Sequence, residues 1–475
     1  MQVSAICCFL LFLSVNRNRI INIYPKNQIM IKHNSNISVI KLISVLYVFI
    51  FLSSCNSDNH NWSQFRGPEG NQVVQDQQIP EVWGPNQNVA WKVELDGRGW
   101  SCPIVWGNKV FFTNAVLEDP SILPPAKKGR RLENPVDAVY NFEVICLDTE
   151  TGEELWKKVA YNGKPNHKTH RDNNYAPETM VTDGKRVYAY FGMTGLYCYD
   201  MNGNPVWEKD LGIYPMQSDW GTSTSPLLYN GVLYQQIDNE ENSFLVALNA
   251  ESGEELWRIN REEKSNWGTP VIWKNSVRAE LVAPGGKTRG YNPENGELLW
   301  ELDMGGGRNI TAPTPYGDLL VVGNEERRSG GGILFAVKAG ATGDISLQEK
   351  ELTNEWVKWS VPESGIAMAT PVVYEDLIYI VERRRGQIFC YDVNTGETVY
   401  SATTITDAEP FWASPWAYNG NIYCLDEEGT THVIKAGREF AEVRTNKLND
   451  TFWATPTVAN NSWFLRGENG MYCIR

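Results

Sequence analysis

The sequence predicts an all-β protein, an eight-bladed β-propeller with four-stranded antiparallel blades, whose ring is closed by pairing of the N- and C-terminal strands. Three observations carry this prediction: a turn phrase that recurs, eight proline anchors at blade-like spacing, and a repeat-like strand near the N-terminus without a blade of its own. The composition agrees, because 40 Gly, 18 Trp and 21 Tyr among 475 residues are typical of tight turns, strands and aromatic packing.

The turn phrase consists of an apolar strand, an Asp or Asn, a Gly, and an aromatic residue four positions after that Gly. It occurs at Cys146–Trp156, Ala247–Trp257, Gly290–Trp300 and Cys390–Tyr400, and one residue shorter at Cys198–Trp207. The Asp or Asn can cap the turn and Gly supplies a positive φ, so each copy predicts a hairpin. We expect the aromatic residue to be buried between neighbouring blades at Trp91, Trp156, Trp207, Trp257, Trp300 and Tyr400.

A second phrase begins each unit with a small residue, a Pro and apolar residues. The prolines are Pro103, Pro177, Pro226, Pro270, Pro313, Pro371, Pro415 and Pro456. Units of about 40–50 residues with four strands match propeller blades. Two units depart from the pattern: Gly343 is followed by Leu347 where Trp is expected, and the seventh unit ends Ala436-Gly437-Arg438. We expect weaker contacts between blades there.

The chain after Pro456 is too short for four strands. Residues 88–95 read like the end of a repeat, and we expect them to supply the outer strand of the last blade, so that the propeller spans 88–475. Pairing the two ends would close the ring.

Residues 1–54 predict a targeting segment. A stretch with Lys32 and Lys41 precedes an apolar run that ends in Leu-Ser-Ser-Cys at Cys55. This ending resembles the lipobox of bacterial lipoproteins, so Cys55 is the expected lipid attachment site, and 55–87 becomes a lipid-anchored lead segment. One transmembrane anchor is the alternative, although the run is shorter than the roughly 20 residues that a spanning helix needs. An earlier apolar run favours Met30 as the start, because two tandem signals would serve no purpose.

Several large side chains precede the proline anchors at similar distances. Trp100, Trp267, Trp412 and Trp453 each lie three residues before a Pro, and Trp220 lies six before Pro226. We expect these five rings, with Arg308 and Asn309 from blade five, to gather at one mouth of the central channel as a ligand or partner site. The alternative is that the rings only pack between blades.

The turn phrase resembles the tryptophan-docking motif of the PQQ-like (quinoprotein-type) propeller family, and Asn61–Pro68 resembles its opening. The family implies either PQQ-dependent alcohol or sugar dehydrogenases, or non-catalytic scaffold lipoproteins of the BamB type in outer-membrane assembly. The enzymes hold PQQ under a vicinal cysteine disulfide and bind calcium. The adjacent pair here, Cys7 and Cys8, falls in the targeting segment. We therefore expect a non-catalytic scaffold without cofactor or metal, with PQQ and calcium reserved for the dehydrogenase alternative.

The expected partners are envelope proteins or unfolded polypeptide, with carbohydrate at the tryptophan mouth as a further alternative. Membrane contact is expected through the lipid anchor alone, on the periplasmic side of the outer membrane of a Gram-negative-type bacterium, and the protein is expected to be a monomer. A formal charge of −14 argues against nucleic acid, which needs a basic surface.

Four other features predict no site. Cysteines recur at one repeat position and are expected to be buried small residues. His167 and His170 form an HxxH in a loop, with too few ligands for a metal. The basic cluster 127–131 is expected to be a solvated loop, with an acidic partner or lipid headgroups as the alternative. The glycine runs at 305–307 and 330–332 lack the Lys-Ser/Thr of a phosphate loop.

Overall fold

The computed structural model describes residues 61–123, 133–325 and 332–475. Within these ranges the protein is an eight-bladed β-propeller of four-stranded antiparallel blades, which confirms the predicted fold class. The expected targeting segment, Cys55 and the basic cluster 127–131 lie outside the described residues, as do Gly330 and Gly331. No helix in the described part of the chain is long and apolar enough to cross a membrane.

Each blade is a hairpin-connected sheet, and its strands run outward from the central channel. From innermost to outermost the strands are Ile104–Trp106, Lys109–Leu117, Tyr140–Asp148 and Glu154–Gly163 in blade 1; Val181–Thr182, Arg186–Tyr190, Leu196–Asp200 and Pro205–Lys209 in blade 2; Leu227–Tyr229, Val232–Ile237, Phe244–Asn249 and Glu255–Asn260 in blade 3; Val271–Lys274, Ala279–Ala283, Lys287–Tyr291 and Leu298–Asp303 in blade 4.

The second half of the ring repeats this plan. Its strands are Thr314–Tyr316, Leu319–Gly323, Leu334–Lys338 and Val357–Val361 in blade 5; Val372–Tyr374, Leu377–Val381, Gln387–Asp392 and Thr398–Thr404 in blade 6; Trp416–Tyr418, Asn421–Leu425, Thr430–Lys435 and Glu442–Lys447 in blade 7; Thr457–Ala459, Ser462–Arg466, Gly470–Ile474 and Val89–Glu94 in blade 8. Short parallel strands are added to blade 7 (Val73–Val74) and blade 4 (Gly343–Asp344), and single 3₁₀ turns occur at Pro120–Ile122, Gly192–Thr194 and Gln217–Asp219.

The ring closes as the sequence predicted. Val89–Glu94 pairs antiparallel with Gly470–Ile474, and Trp91 lies opposite Cys473. The outer strand of the last blade therefore comes from the N-terminal side of the propeller, which leaves no unpaired strand at the closing point.

Neighbouring blades are joined by one recurring contact. The indole of Trp207 in blade 2 packs on Gly253 in blade 3, where an added Cβ would lie 2.8 Å from the Trp207 ring, and its N–H donates to Ala250 O at 3.2 Å. Because φ of Gly253 is +73°, Gly also suits this turn better than an L side chain. The same pattern joins blade 8 to blade 1 through Trp91 and Gly152, and blade 1 to blade 2 through Trp156 and Gly203.

At other predicted positions the aromatic residue makes a different contact with the next blade. Trp257 packs on Gly296, but its N–H has no hydrogen-bond partner among the described residues, whereas the Tyr234 hydroxyl donates to Pro293 O at 2.9 Å. Tyr400 packs edge-on against Phe440 of blade 7, with ring centroids 5.9 Å apart.

Trp300 departs furthest from the expected contact. It is fully buried, but its N–H donates to the carboxylate of Glu280 within its own blade at 2.5 Å, rather than to the backbone of blade 5. The outer side of this strand carries the added strand Gly343–Asp344.

The expectation that Leu347 stands at the aromatic position of blade 5 is wrong. Residues 344–356 intervene before the outer strand, and Trp359 takes the position opposite Ala336. Its N–H donates to Val393 O at 2.9 Å, and its ring packs on Gly396 of blade 6. The joint between blades 5 and 6 is therefore regular.

The lead segment packs against the ring. Residues 61–74 cross the end of the channel, and Val73–Val74 pairs with the innermost strand of blade 7. Hydrogen bonds from this stretch reach blades 1, 5, 6 and 8 through Trp62 to Val105, Arg66 to Thr314, Asn71 to Val373 and Gln72 to Pro456. The buried Arg66 guanidinium has a pKa lowered to about 9 by desolvation.

Candidate functional site

The mouth of the channel is built from one repeat position. The residue three places before the start of each blade's anchor contributes one side chain per blade, and together they line a cavity of about 180 Å³. In blade order the eight residues of this mouth ring are Trp100, Pro177, Ser223, Trp267, Ile310, Met368, Trp412 and Trp453. The repeat therefore converges eight equivalent side chains on one point.

Blade 2 shows that Pro177 is not an anchor. Val181 pairs with Tyr188 as Leu227 pairs with Tyr234 in blade 3, so the residue equivalent to Pro226 is Met180. Pro177 instead occupies the mouth-ring position. This shift could not be recognised from the sequence, because Pro in this region marks an anchor in every other blade.

Most predicted mouth residues meet as expected. Trp100, Trp220, Trp267, Trp412, Trp453 and Arg308 all line the cavity. Asn309 does not: its side chain is buried and its amide donates to Gly285 O at 2.7 Å. Trp100 and Trp267 are each only 9% exposed, so most of each side chain is enclosed by the protein.

One wall of the mouth is a stack of three indoles. The ring centroids of Trp412 and Trp453 lie 3.5 Å apart with 15° between their planes, and those of Trp453 and Trp100 lie 4.9 Å apart at 17°. The Arg383 guanidinium lies 3.5 Å over the Trp412 ring. The stack joins blades 7, 8 and 1 and covers the ring faces with one another.

The opposite wall is held by a loop from blade 2. The His170 ring stacks on Trp220 with centroids 4.0 Å apart, and the amide of Asn173 donates to Trp220 O at 2.9 Å and to Thr222 O at 3.0 Å. The Trp267 N–H donates to Gly221 O at 2.8 Å. These contacts fix the loop that carries Trp220.

Polar groups at the mouth are few. Arg308 forms an ion pair with Glu325, and the Trp412 N–H donates to Glu427 at 2.9 Å. The Trp100 N–H is buried and has no hydrogen-bond partner in the described part of the protein. A buried donor in this state gains from any acceptor that enters the cavity.

Beneath the mouth, residues at a second repeat position form hydrogen bonds between neighbouring blades. In six of the eight blades the residue just before the anchor carries a hydroxyl that accepts the backbone N–H of the preceding blade, at 2.9–3.1 Å. The accepting residues are Thr179, Ser225, Thr269, Thr370, Ser414 and Thr455. The small residues before Pro in the sequence were the signal for this ring.

The channel ends beyond the hydroxyls. Arg66 of the lead segment donates to Thr314 and Pro371, which lie further along the innermost strands than the mouth ring. The mouth is therefore the open end of a blind cavity rather than one end of a through-pore.

Glu178 is a buried acid that sequence reasoning missed. It precedes Thr179 at the joint of blades 2 and 3, is fully buried, and has no cation paired with it among the described residues. Burial raises the pKa of its carboxyl to about 8, although the Thr222 hydroxyl acts in the opposite direction. A lone Glu after Pro177 gave no signal of this environment.

The family resemblance implies a vicinal cysteine disulfide over PQQ, and the described residues contain no adjacent cysteine pair. The six described cysteines are all buried, and none is adjacent to another in sequence. Within the described ranges no group of three or more His, Cys, Asp or Glu could hold a metal ion. The two histidines of the HxxH motif lie in different surroundings. Burial lowers the pKa of His167 to about 4, and the His170 ring stacks on Trp220.

A family model described as "Outer membrane protein assembly factor BamB" matches residues 141–402, which is more than half of the chain. The chain belongs to this family. The outer membrane protein assembly factor BamB of Yersinia pestis is 21% identical over 345 residues, which cover 69% of this chain and 78% of that protein.

Solved structures show the same fold. A europium-containing methanol dehydrogenase gives a TM-score of 0.57 at 11% identity and covers 87% of this chain and 91% of its own. The quinohemoprotein alcohol dehydrogenase from Comamonas testosteroni gives 0.54 at 10% identity, with 89% and 82% covered. At these identities the similarity establishes the propeller and not an activity.

Proposed function

We propose that this BamB-family member is a non-catalytic binding scaffold that takes part in outer membrane protein assembly in the cell envelope. The observation that carries the proposal is the mouth ring, in which every blade contributes one side chain to a concave aromatic surface. Aromatic side chains are enriched at binding hot spots because they bury large area at small entropic cost. The family and the Yersinia relative are outer membrane protein assembly factors, which supports the choice of envelope proteins or unfolded polypeptide as partners.

Affinity capture tests this proposal. The tagged full chain is used to capture proteins from detergent-solubilised envelopes, beside a Met368→Glu variant that places a charge in the mouth. The proposal expects outer-membrane or assembly proteins with the unaltered chain and their loss with the variant. Capture that is equal with both chains would contradict the role of the mouth, and an absence of envelope partners would contradict the scaffold function.

The proposed location is the periplasmic side of the outer membrane, with lipid at Cys55. Replacing Cys55 by Ala should release the protein into the soluble envelope fraction, since several acyl chains are needed for firm anchoring. Cys198→Ala is the matched control, because Ala247 fills the equivalent position of blade 3. A Cys55 variant that stays with membranes after a carbonate wash would refute the anchor.

A PQQ-dependent dehydrogenase is the second candidate, favoured by the fold shared with alcohol dehydrogenases. The missing adjacent cysteine pair among the described residues counts against it. Absorbance spectra after PQQ and calcium are added separate the two: a stable bound chromophore with alcohol or sugar oxidation would replace the scaffold proposal.

A further inference from the structure

The two walls of the mouth differ in chemistry. On one side Trp412, Trp453 and Trp100 stack on one another, so both faces of the central Trp453 ring are covered and it offers its edge to the cavity. On the other side the mouth ring contributes Trp267, Ile310 and Met368, which are an indole, an aliphatic and a thioether side chain, and Trp220 also lines the cavity. The cavity therefore lies between a wall of stacked indoles and a mixed apolar wall.

This asymmetry selects for one kind of occupant. Aromatic edges carry positive charge density and aromatic faces carry negative density, so edges attract the face of another ring. Methionine sulfur also packs favourably against aromatic rings. An aromatic ring placed between these walls is complementary to both.

The Trp100 N–H can orient the occupant of the cavity through a hydrogen bond. It is buried at the mouth without a hydrogen-bond partner in the described structure, so it can donate to a carbonyl carried next to the ring. The cavity of about 180 Å³ is below the roughly 300–1,000 Å³ of pockets for drug-sized ligands, which suits one side chain.

We infer that the mouth binds an aromatic side chain of an extended polypeptide, whose backbone carbonyl accepts a hydrogen bond from Trp100. The inference rests on the proposed function and specifies the chemistry that the partner presents. At the stacked wall it also favours polypeptide over carbohydrate, because sugars stack on free indole faces, whereas the Trp453 ring is covered by Trp412 and Trp100, and Arg383 lies over Trp412.

Binding of labelled peptides to the solubilised full chain tests this, by fluorescence anisotropy. Three Gly/Ser-rich peptides differ at one central residue: Phe, Leu or cyclohexylalanine. The last has the size of Phe without its π system. We expect the Phe peptide to bind at least about 5-fold more tightly than the cyclohexylalanine peptide, since the quadrupole is then the difference.

Variants separate the hydrogen bond from the walls. Trp100→Phe keeps a ring and removes the N–H, and should weaken the Phe peptide about 3- to 10-fold, the range of one hydrogen bond. Trp207→Phe is the matched control, because its N–H bonds Ala250 outside the mouth, and should leave affinity unchanged. If Trp100→Phe does not fold, Met368→Glu should weaken binding by facing a ring with negative charge, and Met368→Leu should retain it.

Equal affinity for Phe and cyclohexylalanine, or unchanged binding in both the Trp100 and Met368→Glu variants, would overturn the inference. Binding of a xylo- or cello-oligosaccharide in place of the Phe peptide would overturn it in favour of carbohydrate. Failure of the peptides together with successful envelope capture would refute this inference alone. Peptide binding without any envelope partner would refute the proposed function alone.

Discussion

The joint between blades 2 and 3 and the joint between blades 7 and 8 solve the same problem with different parts of the chain. In the first, Trp207 packs on Gly253 and bonds Ala250, so both partners belong to the repeat. In the second, Arg444 holds the position of the aromatic residue, opposite Val433, and its Nε donates to Glu81 O at 3.0 Å. The second joint is therefore completed by the lead segment.

The lead segment also supplies the aromatic packing that blade 7 lacks. Trp83 is buried, its ring stacks on Tyr423 with centroids 6.1 Å apart, and its backbone N–H donates to Asn446 at 3.2 Å. The comparison shows that a missing repeat residue need not mean a weak joint. The replacement comes from more than 300 residues away and carries a larger loop-closure cost.

The largest effect is expected from deleting residues 61–87 while keeping strand Val89–Glu94. This exposes the joint of blades 7 and 8 and removes buried Trp62, Trp83 and Ile79. Cooperative unfolding should be lost or its midpoint should fall far more than in any single substitution, as measured by circular dichroism. A deletion of 61–95, which also removes the closing strand, should be more severe. Unchanged melting of both would contradict the closure argument.

At the regular joint of blades 5 and 6, Trp359→Ala should cost about 3–5 kcal/mol of unfolding free energy, because it empties a buried site and leaves Val393 O without its donor. Leu347→Ala, at the position where sequence spacing placed the contact, should cost clearly less in the same urea titration. The reverse order would restore Leu347 as the docking residue.

These two positions show where sequence reasoning succeeds and stops. Spacing from Gly to the aromatic residue predicted Trp156 and Trp207, because each lies within one uninterrupted hairpin, and the missing fourth strand of the last blade predicted the closing strand. The same spacing did not identify Trp359, because residues 344–356 are inserted between the turn and the outer strand and change the distance from Gly343 to the aromatic residue. It could not predict that Trp300 bonds Glu280 instead of the next blade.

The mouth was predictable for the same physical reason. A repeat carries equivalent positions to equivalent places, so four Trp at one offset had to converge. The lead segment has no repeat phrase, and its pairing with blade 7 is non-local, so nothing in the sequence indicated that it closes the channel.

A smaller effect tests the Trp–Gly contact by itself. Gly253 and Gly231 have similar positive φ, +73° and +76°, but an added Cβ meets the Trp207 ring at the first and nothing within 4 Å at the second. Gly231→Ala should cost about 1 kcal/mol from backbone strain, and Gly253→Ala about 1–3 kcal/mol more through displacement of Trp207. Equal losses in thermal denaturation would mean that the contact adds nothing.

The last effect concerns pH at the joint of blades 2 and 3. The pKa of Glu178 is raised to about 8 in the folded state, above its unfolded value, so the native state holds a proton that the unfolded state releases. Stability should therefore fall as pH rises from about 4.5 to about 8. Glu178→Gln should flatten this slope, which melting curves across that range would show. If Glu178→Gln left the pH dependence of stability unchanged, the carboxyl of Glu178 would not be the group that titrates in this range.

The central claim is that the tryptophan mouth is the binding surface of an envelope scaffold. Photo-crosslinking in cells tests it most directly, with benzoylphenylalanine placed at Met368 in the mouth or at the exposed Leu256 on the outer strand of blade 3. Crosslinks to outer-membrane polypeptides are expected from position 368 and not from position 256. Crosslinks from 256 alone would contradict it and would assign binding to the perimeter of the ring.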